Sequence, residues 1–189
     1  NRNWGYDPKN FNVPEGSYCS NPYNPVTRIL ELRQMIMKFH ERGIRVVMDM
    51  VYNHMMSTVN MDNIVPGYYF RSDYLGRYTN GSGCGNELAS ERPMVRKFII
   101  DSCLHWIKDY KIDGIRFDLM ELLDIDTTKE IVKKTTKLDK NFLIYGEPWK
   151  GGSSPLVNGT YKGSQKNENF SIFNDTFRDA IRGNNHPSS

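Results

Sequence analysis

Three polar clusters coincide with the ends of short apolar runs in the sequence. They span Asp49 to His54, Asp113 to Asp118 and Tyr145 to Trp149. If each run is a strand of a parallel sheet, the three carboxyl ends lie on one face, where α/β proteins place their active sites. Arg116 and Asp118 are two residues apart and therefore lie on the same side of their strand. An arginine in that position favours an ionised carboxylate, the form that a nucleophile or a base requires.

A structural role is the alternative for each of these residues. A single acid at a strand end is most simply a helix cap or a surface charge, and Arg116 with Asp118 also fits a buried structural ion pair. Three successive strands that end in Asp and His, Arg and Asp, and Glu and Trp favour a functional site instead. The aromatic residues near the clusters provide flat faces for sugar rings or for core packing: Trp4, Tyr6, Tyr52 and Trp149.

Strands and helices alternate along the chain. The apolar spacing predicts helices over about 29–42, 95–110, 127–137 and 173–183, with Ser90 and Asp126 as caps of the second and third. Short β-branched runs predict buried strands at Ile44 to Val51, Ile112 to Leu119 and Phe142 to Gly146. We expect long connections over 1–28, 53–88 and 150–171, and a frayed end over 184–189.

This order of elements predicts an α/β fold with a parallel sheet. A doubly wound sheet and a β/α barrel both fit the pattern. A whole eight-stranded barrel needs about 250 residues, whereas the chain has 189. The sequence therefore predicts either a small open sheet or a piece of a barrel.

Composition excludes several other classes of protein. With 12% aromatic residues the chain is not disordered as a whole, and no apolar run approaches the length of a membrane span. The net charge is +3 without a basic stripe, so we expect no nucleic-acid partner and no membrane partner. Cys19, Cys84 and Cys103 have neither zinc-site spacing nor the even number of a disulfide framework, and Cys103 is expected in the core. The location in the cell stays open.

The segment Asn3 to Pro8, Asn-Trp-Gly-Tyr-Asp-Pro, resembles the signature of type I pullulanases. These are starch-debranching members of the α-amylase family of glycoside hydrolases. Three further regions resemble conserved regions of that family in the same order: Asp49 to His54, Gly114 to Asp118, and Glu147 with Trp149. Phe173 to Asp175 resembles another stretch of pullulanases. The resemblance covers nearly the whole chain.

The resemblance implies a retaining hydrolysis of α-1,6-glucosidic linkages in pullulan, amylopectin or limit dextrins. Asp118 matches the catalytic nucleophile and Glu147 the general acid/base. Arg116 matches the arginine that orients the nucleophile and keeps it charged. Such an enzyme places its two carboxyl groups about 5–5.5 Å apart. The acid must hold a proton near neutral pH, which burial beside Trp149 favours.

The resemblance also implies a site for an α-glucan. Asp49 and His54 match residues that shape the site around the sugar at the cleavage point, and Tyr6 matches the aromatic residue beneath that sugar. Trp149 matches a residue that lines the leaving-group side. No organic cofactor and no metal site are implied. Calcium stays open because Asn53 matches a calcium ligand of many α-amylases, although one asparagine does not supply the oxygen cage that calcium needs.

The fold implied by the resemblance is a partial (β/α)8 TIM barrel. We expect residues 1–189 to form part of one catalytic domain, with roughly strands 3–5 and their helices. The third acid of the family follows a histidine on a later strand, and no His-Asp pair follows Glu147, since His186 precedes Pro187. We therefore expect the isolated chain to be inactive. Arg2 and Glu121 stand where the family commonly has tyrosine and glycine.

Other functions remain open at this point. An isoamylase-like or α-1,4-acting relative would share the same catalytic residues, and the Asn3 to Pro8 signature favours the pullulanases over it. A non-catalytic sugar-binding barrel is disfavoured because Arg116, Asp118 and Glu147 occur together. A nucleotide-binding doubly wound domain is rejected because no glycine-rich phosphate loop follows a strand.

Overall fold

The computed structural model describes residues 4–183 and contains a parallel sheet of four strands in the order β1-β2-β3-β4. The strands are β1 (Val47–Met50), β2 (Gly114–Phe117), β3 (Leu143–Gly146) and β4 (Ser171–Ile172). The helices are α1 (Pro25–His40), α2 (Val59–Asp62), α3 (Pro93–Tyr110), α4 (Ile125–Leu138) and α5 (Asp175–Arg182). The predicted α/β class and the parallel pairing of strands are confirmed.

The strand register aligns the polar clusters. Asp49 lies opposite Arg116, and Arg116 lies opposite Tyr145 on the next strand. Because paired residues of parallel strands point to the same face, these three side chains share one side of the sheet. On β2 the residues on either side of Arg116, Ile115 and Phe117, are buried in the core. The site therefore forms on the face opposite to these two apolar side chains.

The core is built mainly from the apolar sides of α3 and α4 and from the central strands. Its fully buried members include Val95, Ile99, Cys103, Ile115, Phe117 and Ile131. Burial of each large apolar side chain stabilises the fold by about 1.5–3 kcal/mol. The prediction that Cys103 is a core residue is confirmed.

The helix caps differ in part from the predictions. Asp126 as the cap of α4 is wrong, because the carboxylate of Asp124 accepts the Thr127 N–H at 3.0 Å. Ser90 as the cap of α3 is also wrong. This helix begins at Pro93 without a side-chain cap, and the buried Ser90 hydroxyl instead accepts the Asp124 N–H at 2.9 Å.

Two strand predictions are also corrected. The sequence does not predict β4, because two residues are too few to show a pattern. β4 nevertheless pairs with β3, and the next residue, Phe173, donates its N–H to the Gly146 carbonyl at 3.0 Å. β1 was predicted as a buried strand over Ile44 to Val51. It is shorter, it pairs only with β2 within residues 4–183, and Ile44 is 49% exposed.

Some predictions concern residues outside the described part. Arg2, Asn3, His186 and the predicted frayed end over 184–189 belong to this group. Among residues 4–183, none of the helices combines the length and the apolar character that crossing a membrane requires.

Candidate active site

Arg116 on β2 is the centre of the polar cluster at the carboxyl ends of the strands. Its Nη1 donates to Asp49 Oδ1 at 2.7 Å and to Asp118 Oδ1 at 3.0 Å, and its Nη2 donates to Glu147. The Arg116 side chain is only 14% exposed. One guanidinium therefore joins carboxylates from the ends of three neighbouring strands.

The charges around Arg116 hold it in its protonated form. Burial alone lowers the pKa of this guanidinium, but the hydrogen bond and charge of Asp49 and the charge of Glu147 outweigh burial and raise the pKa. Because Arg116 stays charged, it is a fixed positive centre at which carboxylates can remain close together.

Asp118 is held on both of its carboxylate oxygens. Asn53, which follows β1 and is buried, donates its Nδ2 to Asp118 Oδ2 at 2.8 Å and to the Asp118 carbonyl at 3.0 Å. Arg116 holds the other oxygen. The carboxylate is thus fixed in direction and still 15% exposed, so a reactant can reach it.

Glu147 follows β3 and lies against the turn after Asp118. Leu119 adopts a left-handed conformation with φ 43°, and its N–H donates to Glu147 Oε2 at 2.9 Å. Burial raises the pKa of Glu147 and the charge of Asp118 adds to the rise, while the Leu119 N–H and Arg116 act in the opposite direction. Asp118 and Glu147 therefore lie in different environments, and burial in that of Glu147 raises its pKa.

Tyr6 reaches the cluster from the N-terminal segment. Its hydroxyl donates to Asp49 Oδ2 at 2.6 Å, and the Arg116 guanidinium carbon lies 5.9 Å from the centre of its ring. The hydrogen bond to Asp49 raises the pKa of Tyr6 to about 12, so the phenol stays neutral at physiological pH. The ring is 40% exposed and presents a flat surface beside the carboxylates.

His54 lies beneath the cluster and is 2% exposed. Its Nδ1 lies 2.6 Å from Asn53 Oδ1, which can only accept, so Nδ1 carries the proton. Burial lowers the pKa of His54, while Asp7 and Asp118 oppose the fall. The neutral imidazole leaves Nε2 as an acceptor, 3.6 Å from Asp7 Oδ1 and beyond hydrogen-bonding distance.

Trp149 and Phe173 form an aromatic wall beside Glu147. The two rings are stacked with centroids 6.3 Å apart, and Phe173 also lies 5.7 Å from the Arg116 guanidinium carbon. The prediction of site residues omitted Phe173, although the residue is 39% exposed at the site. The available signal was its place in the Phe173 to Asp175 stretch, which resembles pullulanases, whereas its position directly after β4 was concealed because that strand has only two residues.

The predicted site residues therefore lie together in space. Asp49, Arg116, Asp118 and Glu147 form one hydrogen-bonded cluster, with the other predicted members, Tyr6, His54 and Trp149, around it. Their contacts place the carboxyl groups and flat aromatic surfaces side by side at the carboxyl ends of the strands. Such an arrangement suits acid–base chemistry on a polyhydroxylated ring.

Asn53, the residue for which the sequence left calcium binding open, is hydrogen-bonded through both polar atoms of its amide. Its Oδ1 accepts from His54, and its Nδ2 donates to Asp118. Within the part of the chain that the structure describes, no group of three or more His, Cys, Asp or Glu side chains could hold a metal ion.

Known proteins are similar to this chain in sequence and in backbone over nearly its whole length. The pullulanase of Bacillus subtilis (strain 168) is 46% identical over 187 residues, which cover 96% of this chain and 26% of that protein. The solved pullulanase from Bacillus acidopullulyticus matches with a TM-score of 0.94 and 48% identity, over 96% of this chain and 23% of that one. This chain is homologous to the pullulanases.

A third protein similar to this chain was solved with sugars bound. The pullulanase from Paenibacillus barengoltzii, in complex with maltohexaose and alpha-cyclodextrin, has a TM-score of 0.92 and 46% identity, over 96% of this chain and 29% of that one. This chain spans about a quarter of the length of these relatives. No family model matches it.

Proposed function

We propose that this chain is the central part of a pullulanase catalytic domain that hydrolyses α-1,6-glucosidic branch linkages with retention of configuration. Its substrates would be pullulan, amylopectin and limit dextrins. The observation that carries the proposal is the Arg116 guanidinium, which holds Asp49, Asp118 and Glu147 at the ends of three adjacent strands. Homology to pullulanases at 46% identity supports the choice of substrate.

The proposed fold of the complete domain is a (β/α)8 barrel, of which residues 1–189 form a part. Four parallel strands with intervening helices support this proposal, and β4 adds one strand to the three that the sequence predicted. A largely apolar cavity of about 390 Å³ beside β1 supports it further. Met48, Phe11 and Leu32 line this cavity, and the adjoining strands of a barrel would cover these side chains.

In the first chemical step, Asp118 attacks the anomeric carbon while Glu147 donates its proton to the departing glycosidic oxygen. The bond from the anomeric carbon to that oxygen breaks, and a bond from the carbon to Asp118 forms. Arg116 and Asn53 supply the fixed donors that orient the Asp118 carboxylate. Burial of Glu147, which raises its pKa, favours the proton that this step consumes.

In the second step, the Glu147 carboxylate takes a proton from water, and the water oxygen displaces Asp118 from the anomeric carbon. The sugar leaves with its original configuration, and Glu147 regains its proton. His54 shapes the site around the sugar at the cleavage point, and Tyr6 lies beneath the ring. Trp149 and Phe173 flank the leaving-group side.

A chimeric pullulanase tests this proposal. In it, the segment of Bacillus subtilis pullulanase that this chain matches is replaced by the chain itself, so the rest of that protein supplies the missing strands and the third acid. We expect the chimera to release maltotriose from pullulan. A chimera that melts cooperatively at the temperature of the parent enzyme but releases no sugar would contradict the proposal.

The alternatives are separated by product analysis of the same chimera. An α-1,4-acting enzyme would yield panose or isopanose from pullulan, because it cuts within the maltotriosyl units. An isoamylase-like enzyme would debranch amylopectin and leave pullulan largely intact. A sugar-binding barrel would retain oligosaccharide without cleaving it. Homology to pullulanases favours none of these three.

The pH dependence of the chimera is expected to have an alkaline limb set by Glu147. The protonated form is the active one, so kcat/KM is retained below the pKa of Glu147 and falls about tenfold per pH unit above it. Because burial raises this pKa above its ordinary value of 4.5, the limb lies at a higher pH than for an exposed glutamate. Initial rates on pullulan between pH 4 and pH 9 measure it.

Tyr6→Phe in the chimera is expected to raise KM for pullulan about threefold to tenfold and to leave kcat within about twofold. The variant keeps the ring and loses only the 2.6 Å hydrogen bond to Asp49, a bond of about 1 kcal/mol at a partly exposed position. Tyr6→Ala removes the ring as well and should raise KM further. Equal KM values for the two variants would contradict a role of the ring in sugar binding.

A further inference from the structure

A buried ion pair lies outside the candidate active site. Arg71 and Glu87 belong to the long connection between β1 and α3, and their side chains are 3% and 0% exposed. Arg71 Nη1 lies 2.8 Å from Glu87 Oε2. Because two charges lose their hydration when they are buried, such a pair is stable only when nearly all of its donors and acceptors are satisfied. Its other hydrogen bonds therefore show what the pair connects.

Arg71 contacts the segment that follows Asp118. Its Nη2 donates to the carbonyl oxygen of Leu122 at 2.9 Å and to the Ser90 hydroxyl at 3.1 Å. Leu122 ends the short 3-10 helix Met120–Leu122, which begins two residues after Asp118. The guanidinium thus fixes the turn directly behind the proposed nucleophile.

Glu87 contacts the segment that follows Glu147. Its Oε2 accepts the Ser154 hydroxyl at 2.6 Å, and its Oε1 accepts the Gly81 N–H at 3.2 Å. The carbonyl of Gly81 in turn accepts the N–H groups of Gly151 and Gly152 at 2.9 and 2.8 Å. A Cβ at Gly151 would overlap the carbonyl oxygen of Ser82, so the two segments are in direct backbone contact.

We propose that the Arg71–Glu87 pair positions the two catalytic carboxyl groups relative to each other. Arg71 fixes the turn after Asp118, Glu87 fixes the loop after Glu147 through Ser154, and the ion pair joins the two. This inference rests on the proposed function, because a retaining hydrolase requires a separation of about 5–5.5 Å between its carboxyl groups. Ser154 is then a positioning residue that lies seven positions beyond Glu147.

Removing Arg71 would leave Glu87 as a buried carboxylate without its ion-pair partner, and removing Glu87 would leave Arg71 paired only with the 41% exposed Glu91, at 2.8 Å. Either change is expected to destabilise the fold and so obscure a positioning effect. The test therefore uses Ser154→Ala in the chimeric pullulanase, with Thr79→Val as the matched control. The Thr79 hydroxyl also donates to Glu87, at 2.5 Å, but it belongs to the same connection as Arg71 and Glu87. Each variant removes one hydroxyl that donates a hydrogen bond to Glu87. Only Ser154→Ala releases the loop after Glu147.

We expect Ser154→Ala to lower kcat about tenfold with KM within about twofold, since small displacements of catalytic groups reduce turnover. Thr79→Val should keep kcat within about twofold of the unmodified chimera. Ser154→Thr, which retains the hydroxyl, should keep most of that kcat as well. Equal kcat values for Ser154→Ala and Thr79→Val would overturn the inference while the activity of the unmodified chimera still supports the proposed function.

Hydrogen exchange gives a readout that does not depend on activity. Ser154→Ala should speed exchange of the Gly151 and Gly152 amides, and Thr79→Val should leave their rates unchanged. An inactive unmodified chimera would count against the proposed function. Unchanged exchange in Ser154→Ala would overturn the positioning role in either case.

Discussion

Asp118→Asn is expected to lower pullulan hydrolysis by the chimeric pullulanase by about 10⁴-fold or more, because the reaction loses its nucleophile. An asparagine side chain has nearly the same shape but lacks the charge that attacks the anomeric carbon. Folding should be retained. Arg116 keeps its bonds to Asp49 and Glu147, so we expect the melting temperature to change by less than about 5 °C.

Asp113→Asn is the matched control for this variant. Asp113 directly precedes β2, just as Asp118 directly follows it, and at this amino end its carboxylate lies 2.8 Å from His40 and accepts the Val46 N–H at 2.7 Å. The control should therefore change stability slightly and leave kcat unaffected. If Asp118→Asn kept more than about one per cent of the activity of the chimera, Asp118 would not be the nucleophile.

Glu147→Gln is expected to lower pullulan hydrolysis on the order of 10³-fold, because the leaving oxygen then departs without a proton. Glutamine has the size of the native side chain but only one acceptor oxygen, so it can accept a hydrogen bond from Arg116 or from the Leu119 N–H, not from both. Fluoride is a good leaving group and needs no proton. We therefore expect Glu147→Gln to lower kcat/KM for α-maltotriosyl fluoride, which reports the first step alone, much less than kcat/KM for pullulan, while kcat still falls because Glu147 is also the base of the second step. In the unmodified chimera the alkaline limb of the kcat/KM profile should disappear with the fluoride.

Parallel assays of pullulan and α-maltotriosyl fluoride separate acid catalysis from a structural effect. A variant with a distorted site would lose kcat/KM for pullulan and for the fluoride to the same extent. Such an equal loss would contradict the role of Glu147 as the acid. The decisive quantity is therefore the ratio between the losses of kcat/KM on the two substrates, more than either loss by itself.

The sequence alone was enough to predict the centre of the site. Arg116 and Asp118 alternate along one strand, so their closeness follows from strand geometry. Asp49 and Glu147 end neighbouring runs of the same kind, and parallel pairing brings such ends together. Alternation of strands and helices in turn predicted the α/β class. These features depend on local pattern and on general rules of connection.

Contacts that depend on distant segments could not be predicted in this way. Tyr6 reaches Asp49 across 43 positions, and no periodicity encodes that contact. Phe173 follows a strand of only two residues. The exposure of β1 depends on which strands lie beside it, and the Arg71–Glu87 pair depends on how a long connection folds back. Each of these is decided by tertiary packing.

Trapping of the covalent intermediate tests the central claim most directly. A maltosyl fluoride with a further fluorine at C5 of the reacting sugar slows the second step, so the glycosyl-enzyme of the chimera should accumulate. We predict that mass spectrometry of the digested protein finds the adduct on the peptide that contains Asp118, and that Asp118→Asn abolishes it. An adduct on another carboxylate, or turnover that yields the inverted anomer without an adduct, would contradict the account.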